Sequence, residues 1–197
     1  WPRSALLVGL GAGSLAKFLY RNLPACRITA VEINPRVAWI ARQYFRLPED
    51  DARLHVAIGD GADYMLGGGR SFDYILVDGF DPDGHAGVLD TLPFYSACRA
   101  RLTDDGLFCA NLLGKDSGFA ASVDRLRTAF AGRVAVFPSC ESGNTIAFAT
   151  GGETVTVALD DLRTRALDVK KATGLDLLPT ITRLQLGHPL PGGVLRI

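Results

Sequence analysis

The chain has 197 residues, and its 21 Lys and Arg residues balance its 21 Asp and Glu residues, so the formal net charge is zero. This balance argues against nonspecific binding to nucleic acid or to a membrane surface, because both need an excess of basic residues. The length predicts a single domain over residues 1–197. There is no apolar stretch long enough to span a membrane and no signal-peptide pattern, and four scattered cysteines without a CxxC pair are typical of a cytoplasmic protein.

Apolar runs typical of strands alternate along the chain with patterns typical of helices. We predict strands over 5–8, 27–31, 54–58, 74–77, 106–112, 134–137 and 145–149, and helices over 14–23, 35–45, 62–66, 93–102 and 118–130. Such alternation predicts a doubly wound, Rossmann-like α/β sheet of seven strands, mostly parallel. The last two strands have no helix between them and should form an antiparallel C-terminal hairpin at the sheet edge. The tail is predicted to contain a helix over 159–171, then a segment with a weaker pattern over 177–186, and then an irregular end.

A glycine-rich turn follows the first predicted strand and opens the first helix. Gly9, Gly11 and Gly13 let the backbone turn sharply and come close to a ligand, because glycine has no Cβ. Glu32 ends the second strand nineteen residues after Gly13. An acid at that point can accept hydrogen bonds from both ribose hydroxyls of a nucleoside. The chain therefore begins with a predicted nucleoside-binding site.

Acidic residues also follow the third and fourth predicted strands. Asp60 and Gly61 come after the third strand, and Asp78 and Asp81 come after the fourth. Ligands of such sheets bind at the carboxyl ends of the strands, so these residues should meet around one ligand. Carboxylates repel phosphates, which favours an S-adenosylmethionine-type nucleoside over a dinucleotide. The alternative is that these acids only cap a helix or form a turn.

Four segments that carry these residues, 6–19, 31–35, 58–61 and 74–82, resemble the spermidine synthase (polyamine aminopropyltransferase) family. This family is a branch of the class I methyltransferase superfamily, and the resemblance extends over residues 5–149. It is most specific at the run from Asp78 to Pro82. The resemblance implies that Glu32 holds the ribose and Asp60 the adenine amino group. It further implies that Asp78 is the general base, that Asp81 binds the cationic end of the amine, and that Tyr95 contacts the substrate.

The chain departs from the family pattern at several positions. Ala12 stands where the family has the aspartate that holds the donor's amino group, and His85 stands where proline is frequent. In the hairpin motif, Cys140 replaces a polyamine-contacting tyrosine and Glu141 replaces a proline. The family's N-terminal β-domain is expected to be absent. These departures affect the amine half of the resemblance more than the nucleoside half.

The predicted function is the transfer of an aminopropyl group from decarboxylated S-adenosylmethionine to a small amine, a step of polyamine biosynthesis. Two alternatives stay open, since one fold supports several functions. One is a methyltransferase using S-adenosylmethionine, which Ala12 favours because a missing carboxylate relieves repulsion with that of the intact cofactor. The other is an inactive nucleoside-binding module. We expect no metal, no nucleic acid and no membrane partner, and a homodimer is an expected assembly.

Overall fold

The structure is a computed structural model in which residues 2–81, 84–113, 118–138, 143–187 and 190–197 are described. Strands and helices alternate along these residues. The strands are β1 (Ser4–Val8), β2 (Arg27–Glu32), β3 (Leu54–Ile58), β4 (Phe72–Val77), β5 (Leu102–Leu113), β6 (Val134–Val136), β7 (Asn144–Thr150), β8 (Thr156–Ala158) and β9 (Val194–Arg196). The helices are α1 (Ser14–Asn22), α2 (Pro35–Phe45), α3 (Gly61–Leu66), α4 (Leu92–Ala100), α5 (Phe119–Ala129), α6 (Leu159–Thr173) and α7 (Leu178–Gly187).

Seven of the strands form one sheet in the order β3-β2-β1-β4-β5-β7-β6. The pairs β1–β2, β1–β4, β2–β3 and β4–β5 are parallel, whereas β7 runs antiparallel to both β5 and β6. The predicted doubly wound sheet and its antiparallel edge hairpin are therefore confirmed. The strand order reverses at β1, whose two neighbours β2 and β4 lie on opposite sides of it.

Both faces of the sheet are covered by helices, which explains why the central strands are continuous apolar runs. Along β1, Leu6 and Val8 point into a core that α3, α4 and α5 complete, while Ala5 and Leu7 point into a core that α1 and α2 complete. The helix start predicted at Pro35 is also confirmed. The side chain of Asn34 caps this helix by accepting a hydrogen bond from the Arg36 N–H at 3.0 Å.

The structure differs from the predicted elements at β5 and in the tail. β5 begins at Leu102 rather than Gly106, because Leu102 already pairs with Phe72 of β4 before the register between the two strands shifts. The helix predicted over 159–171 is present as α6, which packs against α7. The end of the tail is not wholly irregular, since β8 and β9 pair there as a separate two-stranded antiparallel sheet. None of the helices in the described ranges has the length and apolar character needed to cross a membrane.

Asp73 ties three strands together at the edge of the sheet where the parallel strands begin. Its Oδ2 accepts hydrogen bonds from the backbone N–H groups of Arg3 and Ser4, at 2.8 and 3.0 Å, and its Oδ1 accepts one from the Thr103 hydroxyl at 3.0 Å. Burial alone would raise the pKa of Asp73, but the hydrogen bonds from Arg3, Thr103 and Ser4 outweigh it and hold the pKa below its usual value. The ionised carboxylate therefore stabilises the fold.

We predict that Asp73→Asn lowers the free energy of unfolding by about 1–3 kcal/mol, because Asn has one acceptor oxygen where Asp73 has two, so donors that the carboxylate now serves lose their acceptor. The contribution is complete above about pH 4, near the unfolded carboxyl pKa, and is lost as the pH falls through the lowered folded pKa. Urea unfolding between pH 3 and 7 measures it. The exposed Asp105 provides the control Asp105→Asn. Equal pH dependence of wild type and Asp73→Asn would contradict this role.

Candidate active site

A cavity of about 700 Å³ lies at the carboxyl ends of the parallel strands, where the strand order reverses. The strand ends meet there because backbone hydrogen bonds continue past the strands. The Gly9 N–H donates to the Val31 carbonyl oxygen at 2.9 Å, and the Asp78 N–H donates to that of Val8 at 2.8 Å. The loops after β1, β2 and β4 are thereby held side by side as one wall of the cavity.

Gly9 is required by close backbone packing. Its φ is +94°, and a Cβ at this position would lie only 2.2 Å from the backbone carbonyl oxygen of Asp78. Gly11 also lines the cavity, and a Cβ there would meet nothing within 4 Å. Gly13 is not among the described lining residues; a Cβ on it would lie 2.9 Å from the Leu47 side chain, and it begins helix α1. The three glycines therefore serve different purposes within one turn.

Glu32 is buried and links the glycine turn to the end of β2. Its Oε2 accepts a hydrogen bond from the Leu10 N–H at 3.0 Å, and its Oε1 accepts one from the Asn34 N–H at 2.9 Å. A carboxylate has about four lone-pair positions, so capacity for two further donors is left on these oxygens. Because Glu32 lines the cavity, it can accept hydrogen bonds from two neighbouring hydroxyls of a ligand.

Asp60 and Gly61 follow β3 at the same cavity. The Oδ1 of Asp60 accepts hydrogen bonds from the Ala62 and Asp63 N–H groups at 2.7 and 3.0 Å, so Asp60 caps helix α3. A Cβ on Gly61 would lie 2.4 Å from the Val8 side chain, which is why only glycine fits under the cavity floor. The capping interpretation of Asp60 is correct, and the lining position is compatible with ligand binding as well.

Asp78 is an exposed carboxylate at the end of β4 and lines the cavity. Its Oδ1 accepts a hydrogen bond from Nδ2 of Asn111 on β5 at 2.9 Å. Behind it, burial raises the pKa of the Cys109 thiol to about 12, and the negative charge of Asp78 acts in the same direction. Cys109 is therefore protonated near neutral pH, which makes it a poor nucleophile, and Asp78 is the candidate base.

Asp81 closes a tight loop with His85. Its Oδ1 accepts a hydrogen bond from the His85 N–H at 2.7 Å, and the Asp81 N–H donates to the His85 carbonyl oxygen at 2.9 Å. Nδ1 of His85 lies 3.6 Å from the same carboxylate oxygen. Asp81 and His85 both line the larger cavity, so Asp78 and Asp81 lie at the same cavity, as expected.

A second cavity of about 190 Å³ adjoins the first and shares residues Phe80, His85, Ala86 and Gly87 with it. Asn111, Asp90 and Ser122 supply polar groups to its wall, while Leu113 and Phe119 are among its apolar residues. The two cavities together form a larger and a smaller compartment side by side.

Tyr95 lies elsewhere than the family resemblance implies. Its ring is buried against Phe94 and Phe108, and Tyr95 is not among the described lining residues of either cavity. Its hydroxyl donates to Oδ1 of Asp90 at 2.7 Å, and burial together with this contact raises the pKa of Tyr95. Tyr95 therefore reaches the smaller cavity only through Asp90, and no direct contact with a ligand is available to it in this conformation.

The charge of the cavity walls is one-sided. Four carboxylates line the larger cavity, those of Glu32, Asp60, Asp78 and Asp81, and no Lys or Arg is among its described lining residues. In the smaller cavity the charge of Asp90 is balanced by Arg125, which lies behind it. The described residues contain no group of three or more His, Cys, Asp or Glu side chains arranged for a metal ion. These walls suit a ligand with positive charge and no phosphate or carboxylate.

Some residues of the predicted site lie outside the described ranges, namely Pro82, Cys140 and Glu141. Ala12, in the glycine turn, is half-buried. Three polar residues of the smaller cavity were missed from the sequence, namely Asp90, Asn111 and Ser122. Asn111 belongs to no motif and becomes visible only through the pairing of β4 with β5. Asp90 ends a short 3-10 helix over Gly87–Asp90 and Ser122 lies on α5, so neither directly follows a strand and no sequence signal pointed to them.

We predict that Gly9→Ala reduces the affinity for methylthioadenosine more than tenfold, because the added methyl group pushes apart the loops after β1 and β4. Gly174→Ala is the matched control: Gly174 also has a positive φ, +80°, it ends α6 outside the described lining of either cavity, and a Cβ there meets nothing within 4 Å, so the change should cost only the left-handed backbone energy of about 1–2 kcal/mol. Isothermal titration measures the affinity of each variant, and urea unfolding measures its stability. Wild-type affinity in Gly9→Ala would show that the loop contact does not shape the cavity.

Comparisons with known proteins agree with this geometry. Residues 1–116 match the family model of the spermine/spermidine synthase domain. A polyamine aminopropyltransferase of Neisseria meningitidis is 35% identical over 191 residues, which are 97% of this chain and 73% of the relative. A spermidine synthase structure from Thermotoga maritima is similar at a TM-score of 0.70 with 25% identity, over 97% of this chain and 66% of that one. Human methyltransferase-like protein 13 in complex with SAH is similar at a TM-score of 0.77 with 29% identity, over 87% of this chain and 82% of that one. The chain belongs to the spermine/spermidine synthase family.

Proposed function

We propose that this chain is an aminopropyltransferase that binds decarboxylated S-adenosylmethionine in the larger cavity and a small amine beside it. The observation that carries the proposal is the charge of the wall: four carboxylates and, among the described lining residues, no Lys or Arg. Decarboxylated S-adenosylmethionine has a sulfonium and an ammonium group and no carboxylate. Its charge therefore complements this wall, and membership of the family supports the same donor.

Each residue of the wall takes a role that its position allows. Glu32, fixed by two backbone N–H groups, would accept the ribose hydroxyls, and Asp60 would accept from the adenine amino group. Gly9, Gly11 and Gly61 bring backbone close to the nucleoside, while Gly13 shapes the turn. Asp81 would hold the cationic end of the amine by charge-assisted hydrogen bonds.

The chemical step needs one base and accurate positioning. An ammonium is not nucleophilic, so Asp78 would take one proton from the acceptor nitrogen. The free electron pair of that nitrogen then forms a bond to the aminopropyl carbon beside the sulfonium. The carbon–sulfur bond breaks and its electrons go to sulfur, which leaves neutral methylthioadenosine. Because sulfur is already a good leaving group, alignment of the two reactants supplies most of the remaining rate.

Methyl transfer from intact S-adenosylmethionine is the second candidate. The half-buried Ala12 leaves the glycine turn without the carboxylate expected there, and the human methyltransferase-like protein 13 has a similar fold. Against it stands the same acidic wall, because the carboxylate of the intact cofactor would enter a cavity lined by four carboxylates and, among its described lining residues, by no Lys or Arg. Aminopropyl transfer is therefore the function that the geometry supports best.

The working environment follows from the same proposal. A small-molecule amine is the expected partner, and the homodimer stays a prediction. Cys26, Cys98 and Cys109 are free thiols, which suits the cytoplasm.

We predict that Asp78→Asn lowers kcat for aminopropyl transfer to putrescine by about 10²–10⁴-fold, because the amide cannot accept the proton. Methylthioadenosine release, followed by chromatography, measures the reaction. Nucleoside affinity should stay within threefold of wild type, and Asp81→Asn is the companion variant that should mainly raise the KM of the amine. If wild type transfers no aminopropyl group to any small amine, or if Asp78→Asn is as active as wild type, the proposed function is wrong.

A further inference from the structure

Asn111 is placed beside Asp78 by the register of the sheet. Val77 of β4 pairs with Ala110 of β5, so the next residue of each strand, Asp78 and Asn111, lies at the same level of neighbouring strands. The amide Nδ2 donates to Oδ1 of Asp78 at 2.9 Å. This hydrogen bond holds one carboxylate oxygen of the candidate base in place, and it thereby also fixes the orientation of the other oxygen, Oδ2.

The second polar atom of the same amide is in an unfavourable environment. Oδ1 of Asn111 is buried, and it has no hydrogen-bond partner among the described residues. An unpartnered buried oxygen destabilises a fold, and apolar side chains of similar shape are available at no such cost. Leu113, two residues further along β5 and on the same face of the strand, is apolar and lines the smaller cavity together with Asn111. Asn111 is therefore unfavourable for stability at a position where it contacts the candidate base.

Asn111 also lies at the boundary between the two compartments. Asp78 lines the larger cavity, Asn111 lines the smaller one, and their hydrogen bond lies where the two adjoin. In the proposed function the donor occupies the larger compartment and the amine lies beside it with its cationic end at Asp81, so Asp78 lies where the two reactants meet. A base at this boundary has to present a fixed oxygen to the nitrogen, because a misplacement of 1 Å can cost about a hundredfold in rate.

We propose that Asn111 is a positioning residue for aminopropyl transfer: it fixes the carboxylate of Asp78 at the boundary of the two cavities, at the expense of a buried amide oxygen that has no partner among the described residues. The inference rests on the proposed function and assigns its base a partner on β5. During the step the proton moves from the acceptor nitrogen to Asp78, and Asn111 neither gains nor loses a proton. Its amide acts only through its hydrogen bond to Asp78.

The test uses the opposite effects that this role predicts on activity and on stability. Asn111→Leu replaces the amide oxygen and nitrogen with two methyl groups and keeps the number and branching of the side-chain heavy atoms. We expect kcat for transfer from decarboxylated S-adenosylmethionine to putrescine to fall about 10- to 100-fold, with the KM of putrescine and the affinity for methylthioadenosine changed less than threefold. The Tm should be equal to that of wild type or higher, because the unpaired oxygen is gone.

Two further variants keep the result interpretable. Asn111→Asp is isosteric and puts a second carboxyl group at hydrogen-bond distance from Asp78; the two would share a proton, which impairs Asp78 as a base. Its kcat should therefore fall at least as far as that of Asn111→Leu, even if the leucine variant folds poorly. Asn22→Leu makes the same chemical change at the exposed end of α1 and should leave kcat unchanged.

If wild type is active and Asn111→Leu or Asn111→Asp keeps its kcat, the positioning role is wrong while the proposed function stands. A Tm that falls together with nucleoside affinity would assign Asn111 a purely structural role, and a wild type without transfer would overturn both proposals.

Discussion

The carboxylate of Glu32 is the interaction on which the geometry of the site depends. By accepting the N–H groups of Leu10 and Asn34, it joins the glycine turn after β1 to the loop after β2. The glycine turn also packs against the loop after β4, because Gly9 lies directly against the backbone of Asp78. Three strand ends are thus connected into one wall, and the same carboxylate still has lone pairs for a ligand. A substitution that removes any of these contacts should therefore change both the shape of the cavity and its affinity for a ligand.

Much of this wall could be predicted from the sequence because it follows from local rules. A glycine turn after the first strand and acids after the next three strands must converge where parallel strands end, and the structure places Gly9, Glu32, Asp60 and Asp78 around one cavity. Contacts that depend on strand register were not predictable in this way. Asn111 reaches Asp78 only because β5 pairs with β4 in one particular register.

The remaining differences have equally physical origins. The family resemblance assigned Tyr95 to the substrate, but its ring is needed in the core below the sheet, and its hydroxyl meets Asp90 instead. The strands β8 and β9 have three residues each, too few for a periodic pattern, and turn-forming residues stand directly before the second. Sequence patterns thus predicted elements and strand ends well, and tertiary contacts between distant side chains poorly.

The fold alone does not distinguish aminopropyl transfer from methyl transfer, since a spermidine synthase and a methyltransferase-like protein both have an architecture similar to that of this chain. The charge of the cavity wall is the feature that separates the two reactions. The acidic wall and the absence of Lys and Arg from its described residues favour a donor without a carboxylate. The most direct measurement is calorimetric titration of wild type with decarboxylated S-adenosylmethionine and with intact S-adenosylmethionine under identical conditions. At least tenfold tighter binding of the decarboxylated form, about 1.4 kcal/mol, is predicted. Equal or tighter binding of the intact form would contradict aminopropyl transfer as the function of this site.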